Sequence, residues 1–244
     1  MQKLLSLMRK GIDDYNMIQD GDKIAVGISG GKDSIALLTL LSAYQKFSPQ
    51  KFELIGININ LGFKDTRAQE VENCKEYCKK IGVEFIIEDT NIAQIIFEDR
   101  KETNPCSLCS KMRRGALNTV AIKNGCNKLA LGHHTDDILD TMFLSLIYEG
   151  RFSTFMPVSY MSRTGITLIR PLIYVEEKYL SALCRKYDLP IIFNPCPADK
   201  HTKREDMKNL IEELDERFPG CKKRFCSAIF NPESTNLWTT KAKL

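Results

Sequence analysis

No stretch of this chain approaches the ~18–20 consecutive apolar residues that a membrane span requires, so no membrane partner is expected. Residues 1–10 hold Leu4, Leu5, Leu7 and Met8, too short an apolar run for a secretory leader, and no small-residue cleavage site follows. Internal repeats and low-complexity segments are also missing. Charge of neither sign dominates: 35 Lys and Arg stand against 31 Asp and Glu, a net charge of +4. That balance leans basic without specifying a nucleic acid by itself. Lacking a leader, the chain is expected in the cytoplasm. Its nine cysteines are then reduced, metal-bound or catalytic, not paired in disulfides. Two familiar phosphate-loop patterns are absent as well. The P-loop pattern needs glycine where Val26 stands and Ser or Thr where Asp33 stands. The dinucleotide pattern G-x-G-x-x-G fails because Gly27 and Gly30 are wrongly spaced.

What is present is ordinary in bulk, with 244 residues, 43% hydrophobic and 27% charged. That suits one large soluble domain, or a domain with an appendage. The chain is organised around residues 23–34. Residues 24–28 are apolar and β-branched, which predicts a buried strand. Gly30 and Gly31 make a tight turn, and Ser34 is expected to cap the helix that follows. Ile35, Leu37, Leu38, Leu41 and Tyr44 then recur at helical spacing.

A strand that turns directly into a helix makes an anion site. The first-turn amides of the helix lack internal acceptors, and its dipole favours negative charge. Gly30 and Gly31 present no Cβ to block a phosphate. Ser29 and Ser34 add hydroxyl donors, and Lys32 adds a point charge. Asp33 would repel phosphate, and is accounted for if it holds a Mg²⁺ that bridges phosphate oxygens. In this context Ser29, Gly30, Gly31, Lys32, Asp33 and Ser34 resemble the pyrophosphate loop of the ATP pyrophosphatase superfamily. The resemblance implies binding of ATP, cleavage between its α and β phosphates, and attachment of AMP to an oxygen. A mere glycine turn before a surface helix leaves six matching positions unaccounted for.

Taken in order, the pattern predicts a helix over residues 1–20, strands over 52–59, 83–87 and 128–131, and helices over 66–81 and 135–148. Strands alternating with helices indicate an α/β fold, a parallel sheet with helices on both faces. The resemblance implies the adenine nucleotide alpha hydrolase-like version of it. The expected organisation is an N-terminal helix over 1–20, a PP-loop ATP pyrophosphatase domain over 21–175, and a helical C-terminal extension over 176–244. Ligands in such sheets sit beyond the carboxyl ends of the strands. That rule gathers residues 29–34, Asn58 with 59–62, and Gly132 with 133–137. The run Gly132-His133-His134-Thr135-Asp136-Asp137 fits the same site, and the superfamily carries a similar segment there. By that resemblance Asp137 is a second metal or ribose-phosphate contact, while His133 orients the loop. Asp136 alone is equally explained as a helix cap.

The cysteines sort by pattern. Cys74 and Cys78 share a helical stripe with Val71 and Ile81, and Cys184 shares one with Leu180, Leu183 and Tyr187, so all three read as core. Cys106 and Cys109 differ. They form a C-x-x-C at the start of a Pro-led helix, within reach of one metal or cluster, and Lys111, Arg113 and Arg114 should lower their thiol pKa values. Cys196 stands between prolines in a loop expected between a strand and a helix. A C-x-x-C alone also fits a redox pair or half a zinc site. No second C-x-x-C completes a four-cysteine zinc site, although His201 or another cysteine could serve as fourth ligand.

The pyrophosphate loop, Cys106-Ser107-Leu108-Cys109 with Arg113-Arg114-Gly115, residues 131–139, Ile169-Arg170-Pro171-Leu172 and a late cysteine occur in one order. That order resembles the tRNA 2-thiocytidine synthetase family across almost the whole chain. The resemblance implies that Cys106, Cys109 and Cys196 hold a [4Fe–4S] cluster with one iron lacking a protein ligand, the extension supplying the third cysteine. The family's longer members carry a second late C-x-x-C, where this chain has Cys196 followed by Pro197. Terminal zinc ribbons, found in related 2-thiouridine enzymes, are absent.

The implied reaction is ATP-dependent tRNA thiolation. A base carbonyl oxygen, at C2 of a cytidine in the anticodon loop, is adenylated and then replaced by sulfur. Sulfur arrives as hydrosulfide on the open iron, or as a persulfide on Cys106, Cys109 or Cys196. Expected partners are tRNA and a sulfur donor, either sulfide or a cysteine desulfurase system, with a homodimer left open. Lys111, Arg113 and Arg114 are the candidate RNA contacts, and residues 222–224 a further basic stretch. Arg170 could instead pair with a structural acid. The base must be unstacked, so a single-stranded loop is the expected substrate. Two other classes stay open: an AMP-forming ligase or amidotransferase acting on a small metabolite, and a zinc-stabilised, non-catalytic RNA-binding module.

Overall fold

A central strand that is apolar on both faces is what residues 24–26 dictate, and the computed structural model is built around it. It describes residues 1–63, 68–102, 105–193, 196 and 203–231. In chain order the elements are α1 (Gln2–Asp14), β1 (Asp22–Gly27), α2 (Lys32–Gln45), β2 (Phe52–Asn60), α3 (Ala68–Ile81) and β3 (Glu84–Asp89). A short α4 (Ile92–Gln94), continued by a π-turn (Ile95–Asp99), leads to α5 (Pro105–Lys123) and β4 (Lys128–Ala130). Then come α6 (Thr135–Glu149), β5 (Val158–Met161), β6 (Ile166–Ile169), α7 (Glu177–Tyr187), α8 (Lys203–Arg217) and α9 (Cys221–Phe230). The chain packs as two units, Met1–Thr135 with Phe155–His201, and Asp136–Thr154 with Thr202–Leu244.

The first unit holds a six-stranded sheet in the order β3-β2-β1-β4-β6-β5. Every pairing is parallel except β5 with β6. Side chains alternate across a strand. Ala25, Ile55, Ile57, Leu129 and Leu168 therefore face one way, against Ile92, Ile96, Leu117, Val120 and Ala121 from α4, the π-turn and α5. The opposite face, carrying Ile24, Val26 and Leu54, is left to α2, which packs on β1 and β2. Almost the whole of α2 is buried, since α1 and α7 cover its outer side. At roughly 1.5–3 kcal/mol for each fully buried Leu or Ile, these two layers supply most of the driving force.

Several expectations are corrected. The first helix stops at Asp14, not near Asp20. Asn16 takes φ +48, Met17 N–H bonds to Ile12 O, and Asn16 N–H bonds to Asp13 O. That is a Schellman stop, with Asn tolerating the left-handed position. Met17 and Ile18 are buried beyond it. The hairpin of β5 and β6 was not anticipated; it adds the antiparallel edge. Residues 191–193 are irregular, not a strand before Cys196. Thr66, Asn194, Pro195, Pro197, Lys200 and His201 lie outside the described residues.

The second unit has its own small core, with Leu139 and Phe143 of α6 packed on Met207 and Ile211 of α8. Phe225 of α9 meets Phe143 edge-on at 5.4 Å between ring centroids.

Candidate active site

β1 runs into residues 28–31 and these into α2 without an intervening loop, so the helix opens at the carboxyl edge of the central strand. The helix begins at Lys32 with Gly31 as its N-cap residue. Ser34 is therefore not the cap that its identity suggests; it sits in the first turn. Its hydroxyl donates to Gly31 O at 2.8 Å and accepts from Ser29 N–H at 3.2 Å. Ser34 thus ties the turn closed, while the amides of Lys32 and Asp33 have no backbone acceptor among the described residues. Those two donors, at the positive end of a 14-residue helix, are available to an anion.

Gly30 has φ +90, and a Cβ there would lie 2.8 Å from Ile192 Cβ and 3.0 Å from Ile192 O. Glycine is required on both counts. Ile192 N–H also bonds to Gly30 O at 2.9 Å. The segment after α7 is thereby fastened to the turn. Four residues of extended chain reach at most ~14 Å, so Cys196 cannot lie far from it.

The side chains of the turn form one charged group. Lys32 Nζ lies 2.7 Å from Glu177 Oε1 and 3.1 Å from Asp33 Oδ2. Burial alone would push the Lys32 pKa down; the Glu177 hydrogen bond and the charges of Asp33 and Glu177 outweigh it and hold the pKa above the ordinary lysine value. His134 Nε2 stands 3.7 Å from Asp33 Oδ2, with the ring buried. The other Asp33 oxygen, Oδ1, is buried and accepts no hydrogen bond among the described residues. A bare carboxylate oxygen beside free first-turn amides fits one ligand position of a Mg²⁺.

The loop after β4 presses on the same turn. A Cβ on Gly132 would lie 3.0 Å from both the carbonyl carbon and oxygen of Asp33, so glycine permits the approach. His133 Nδ1 accepts from Arg170 Nε at 3.2 Å, and its ring packs 5.0 Å from Phe155. Arg170 also donates to Met156 O and lies over the Phe155 ring. Among the described residues it pairs with no acid, so the alternative of a structural carboxylate partner is not the one taken. Burial, and then the nearby Arg114, lower its pKa to about 10, which leaves it cationic at neutral pH. Asn58 is buried and donates from Nδ2 to Ile28 O at 2.8 Å, bracing the approach to the turn.

Asp137 belongs to the second unit, where it pairs with Arg204 at 2.9 Å. Asp136 pairs there with Lys222. Lys222 of the basic stretch 222–224 is thus engaged by a carboxylate.

Cys106 is exposed and Cys109 half-buried on the first turn of α5, where the leading Pro105 suits the first helical position. Burial pushes the Cys109 thiol up, Arg113 one turn on opposes it, and Cys196 and Cys106 add to the rise. The expected lowering by the basic residues is therefore overridden at Cys109. Cys106 and Cys196 thus both lie within electrostatic reach of Cys109. Among the described residues no three His, Cys, Asp or Glu side chains are gathered as for a single ion. An all-thiolate donor set of Cys106, Cys109 and Cys196 is the kind that holds an iron–sulfur cluster. Lys111 and Arg114 are exposed on α5 and Arg113 is half-buried. Cys74, Cys78, Cys126, Cys184 and Cys221 are buried.

Glu177 and His134 escaped the sequence reading as charged partners of the turn. The strand-edge rule gathers His134 with the turn but gives it no partner; the spacing of Glu177 from Lys32 carries no period, and the packing of α7 on α2 brings it in.

The chain matches the PP-loop domain family over residues 2–214. It is similar to the tRNA-cytidine(32) 2-sulfurtransferase of Syntrophotalea carbinolica, 36% identical over 245 residues, covering 99% of this chain and 93% of that protein. It is 42% identical over 214 residues to the protein of that name from Bordetella avium, covering 86% of this chain and 67% of that one. Among solved structures it resembles the U34-tRNA thiolase NcsA from Methanococcus maripaludis with its [4Fe-4S] cluster. That match has a TM-score of 0.76 at 25% identity and covers 100% of this chain and 83% of the other. The NH3-dependent NAD synthetase from Campylobacter jejuni shares the fold, with a TM-score of 0.51 at 14% identity over 98% of each chain. With a family match along most of its length and relatives that align from end to end, this chain belongs to the PP-loop proteins and, within them, to the tRNA 2-thiocytidine synthetase family.

Proposed function

We propose that this chain is an ATP-dependent tRNA sulfurtransferase that makes 2-thiocytidine at cytidine 32, the base named in its curated relatives. The observation that carries the reading is the fastening of the segment before Cys196 to Gly30. It ties a thiol-bearing loop to a turn built for phosphate.

The free amides of Lys32 and Asp33, the Ser29 hydroxyl and the Lys32 ammonium hold the β and γ phosphates of ATP. Asp33 Oδ1 would hold Mg²⁺, which when bound supplies positive charge to the phosphate oxygens. The carbonyl oxygen at C2 of the base attacks the α phosphorus. The bond to the β phosphate breaks, pyrophosphate leaves on the turn, and the oxygen becomes part of an AMP ester. A sulfur nucleophile then adds at C2, and AMP departs with the oxygen. Cys106, Cys109 and Cys196 would hold a [4Fe–4S] cluster, whose fourth iron, free of protein thiolate, supplies a place for hydrosulfide to bind. Lys111, Arg113 and Arg114, on the helix that carries the C-x-x-C, meet the tRNA backbone. The donor is sulfide or a cysteine desulfurase system, and the setting is the cytoplasm.

The test uses protein purified without oxygen, unmodified tRNA, ATP, Mg²⁺ and sulfide, followed by mass spectrometry of the digested nucleosides. 2-Thiocytidine should accumulate with the wild type and be lost with Asp33→Ala, whose iron content and circular dichroism stay unchanged. Product formed at the wild-type rate by Asp33→Ala, or none formed by iron-loaded wild type, would overturn the proposal.

A further inference from the structure

The phosphate turn brings carboxylates as well as an ammonium to a site read as binding anions. One ammonium, Lys32, faces two carboxylates, Asp33 at 3.1 Å and Glu177 at 2.7 Å. Glu177 is not a mobile surface acid that happens to reach the turn. It sits in the first turn of α7, which packs along α2. Cys184, two turns further along α7, donates from Sγ to the Lys32 carbonyl at 3.4 Å. The two helices are thus clamped where the Glu177 carboxylate meets Lys32. The side chains of Lys32, Asp33 and Glu177 are only 31%, 28% and 22% exposed, so solvent screens them incompletely.

Among the described residues, Lys32 and its two carboxylates sum to one negative charge before anything binds, with the His134 ring 3.7 Å from Asp33. A phosphate chain arriving alone gains the two free amides and the hydroxyls but meets an ammonium already shared by two carboxylates. A phosphate chain arriving with a divalent cation reverses the balance, because Asp33 Oδ1, buried and without a hydrogen bond among the described residues, can accept the cation. Asp33 is then compensated, and Lys32 has only Glu177 to share with the phosphates.

We infer that Glu177 makes the phosphate turn selective for the magnesium complex of the nucleotide over the free nucleotide. The inference rests on the reading that residues 29–34 bind ATP. Glu177 acts through Lys32 and is a positioning residue for it. Replacing Glu177 by Gln keeps the volume and an oxygen for the Lys32 N–H, and removes one negative charge. Free ATP is more negative than its magnesium complex, so the substitution favours free ATP more.

The test is calorimetric titration of ATP into the full-length, anaerobically purified protein, with Mg²⁺ and in Mg²⁺-free buffer. Wild type should bind ATP at least tenfold more tightly with Mg²⁺. In Glu177→Gln that ratio should shrink about tenfold, mainly because free ATP binds more tightly, and the change should fade at high salt. Glu177→Ala must move the ratio the same way; a change with Ala and none with Gln would assign the effect to packing and overturn the inference. An unchanged ratio in Glu177→Gln, with wild type still binding ATP in Mg²⁺, would overturn the inference and leave the nucleotide site standing. Wild type that binds no ATP under either condition would overturn both.

Discussion

Replacing Gly30 by Ala probes the hydrogen-bonded contact that, among the described residues, joins the phosphate turn to the segment leading to Cys196. At φ +90 an L-residue pays about 1–2 kcal/mol of backbone strain. The new Cβ would also stand 2.8 Å from Ile192 Cβ and 3.0 Å from Ile192 O, so the segment must move. The Ile192 N–H to Gly30 O bond is lost with that shift, at about 0.5–1.5 kcal/mol. The sum is about 1.5–3.5 kcal/mol. For a chain of this size that lowers the melting temperature by about 3–14 °C. Iron content should fall with it, since the displaced segment carries Cys196. Gly21→Ala is the control: Gly21 has φ +81 with nothing within 4 Å of a built Cβ. It should share the strain and keep its iron. Adding Ile192→Gly to Gly30→Ala removes the contact with Ile192 Cβ but not that with the carbonyl, so rescue should be partial. Thermal melts and iron assays of the four proteins decide the matter. A Gly30→Ala protein with wild-type melting temperature and full iron would refute the account.

Cys196→Ala should purify without most of its iron and sulfide, whereas Cys74→Ala, fully buried on α3, should keep its iron and lose about 1–2 kcal/mol of stability; full iron in the first or lost iron in the second would show the cysteines wrongly sorted. Asp22→Ala should cost about 3–5 kcal/mol by urea denaturation. It strands Lys128, whose Nζ lies 2.6 Å from Asp22 Oδ2 with both side chains buried. A loss under about 1 kcal/mol would mean that the Met17 carbonyl, 2.8 Å from the same ammonium, satisfies it alone.

Reading the site from sequence worked where chemistry is local. The turn at 29–34 and the Pro-led C-x-x-C are each contiguous, so strand, turn and helix geometry followed from residue order. Ser34 shows the limit even there: its hydroxyl closes the turn from inside the first helical turn, because the helix starts earlier than the residue type suggests. For Arg170 the sequence left RNA or a structural acid as alternatives, and it holds His133 and lies over Phe155; these partners come from two loops that share no pattern with it. The edge hairpin was missed because four-residue strands, Val158–Met161 and Ile166–Ile169, are too short for alternation to stand out.

By itself the sequence determined the α/β order, the phosphate turn and the three thiols set apart from the core cysteines, because periodicity and motif spacing are properties of neighbours along the chain. Only the tertiary structure decided that Glu177 shares Lys32, that His134 faces Asp33, that Gly132 touches the Asp33 backbone and that Ile192 is bonded to Gly30. Those contacts join segments far apart in sequence, and they exist because packing α7 and the β4 loop against α2 buries apolar surface, which no local pattern records.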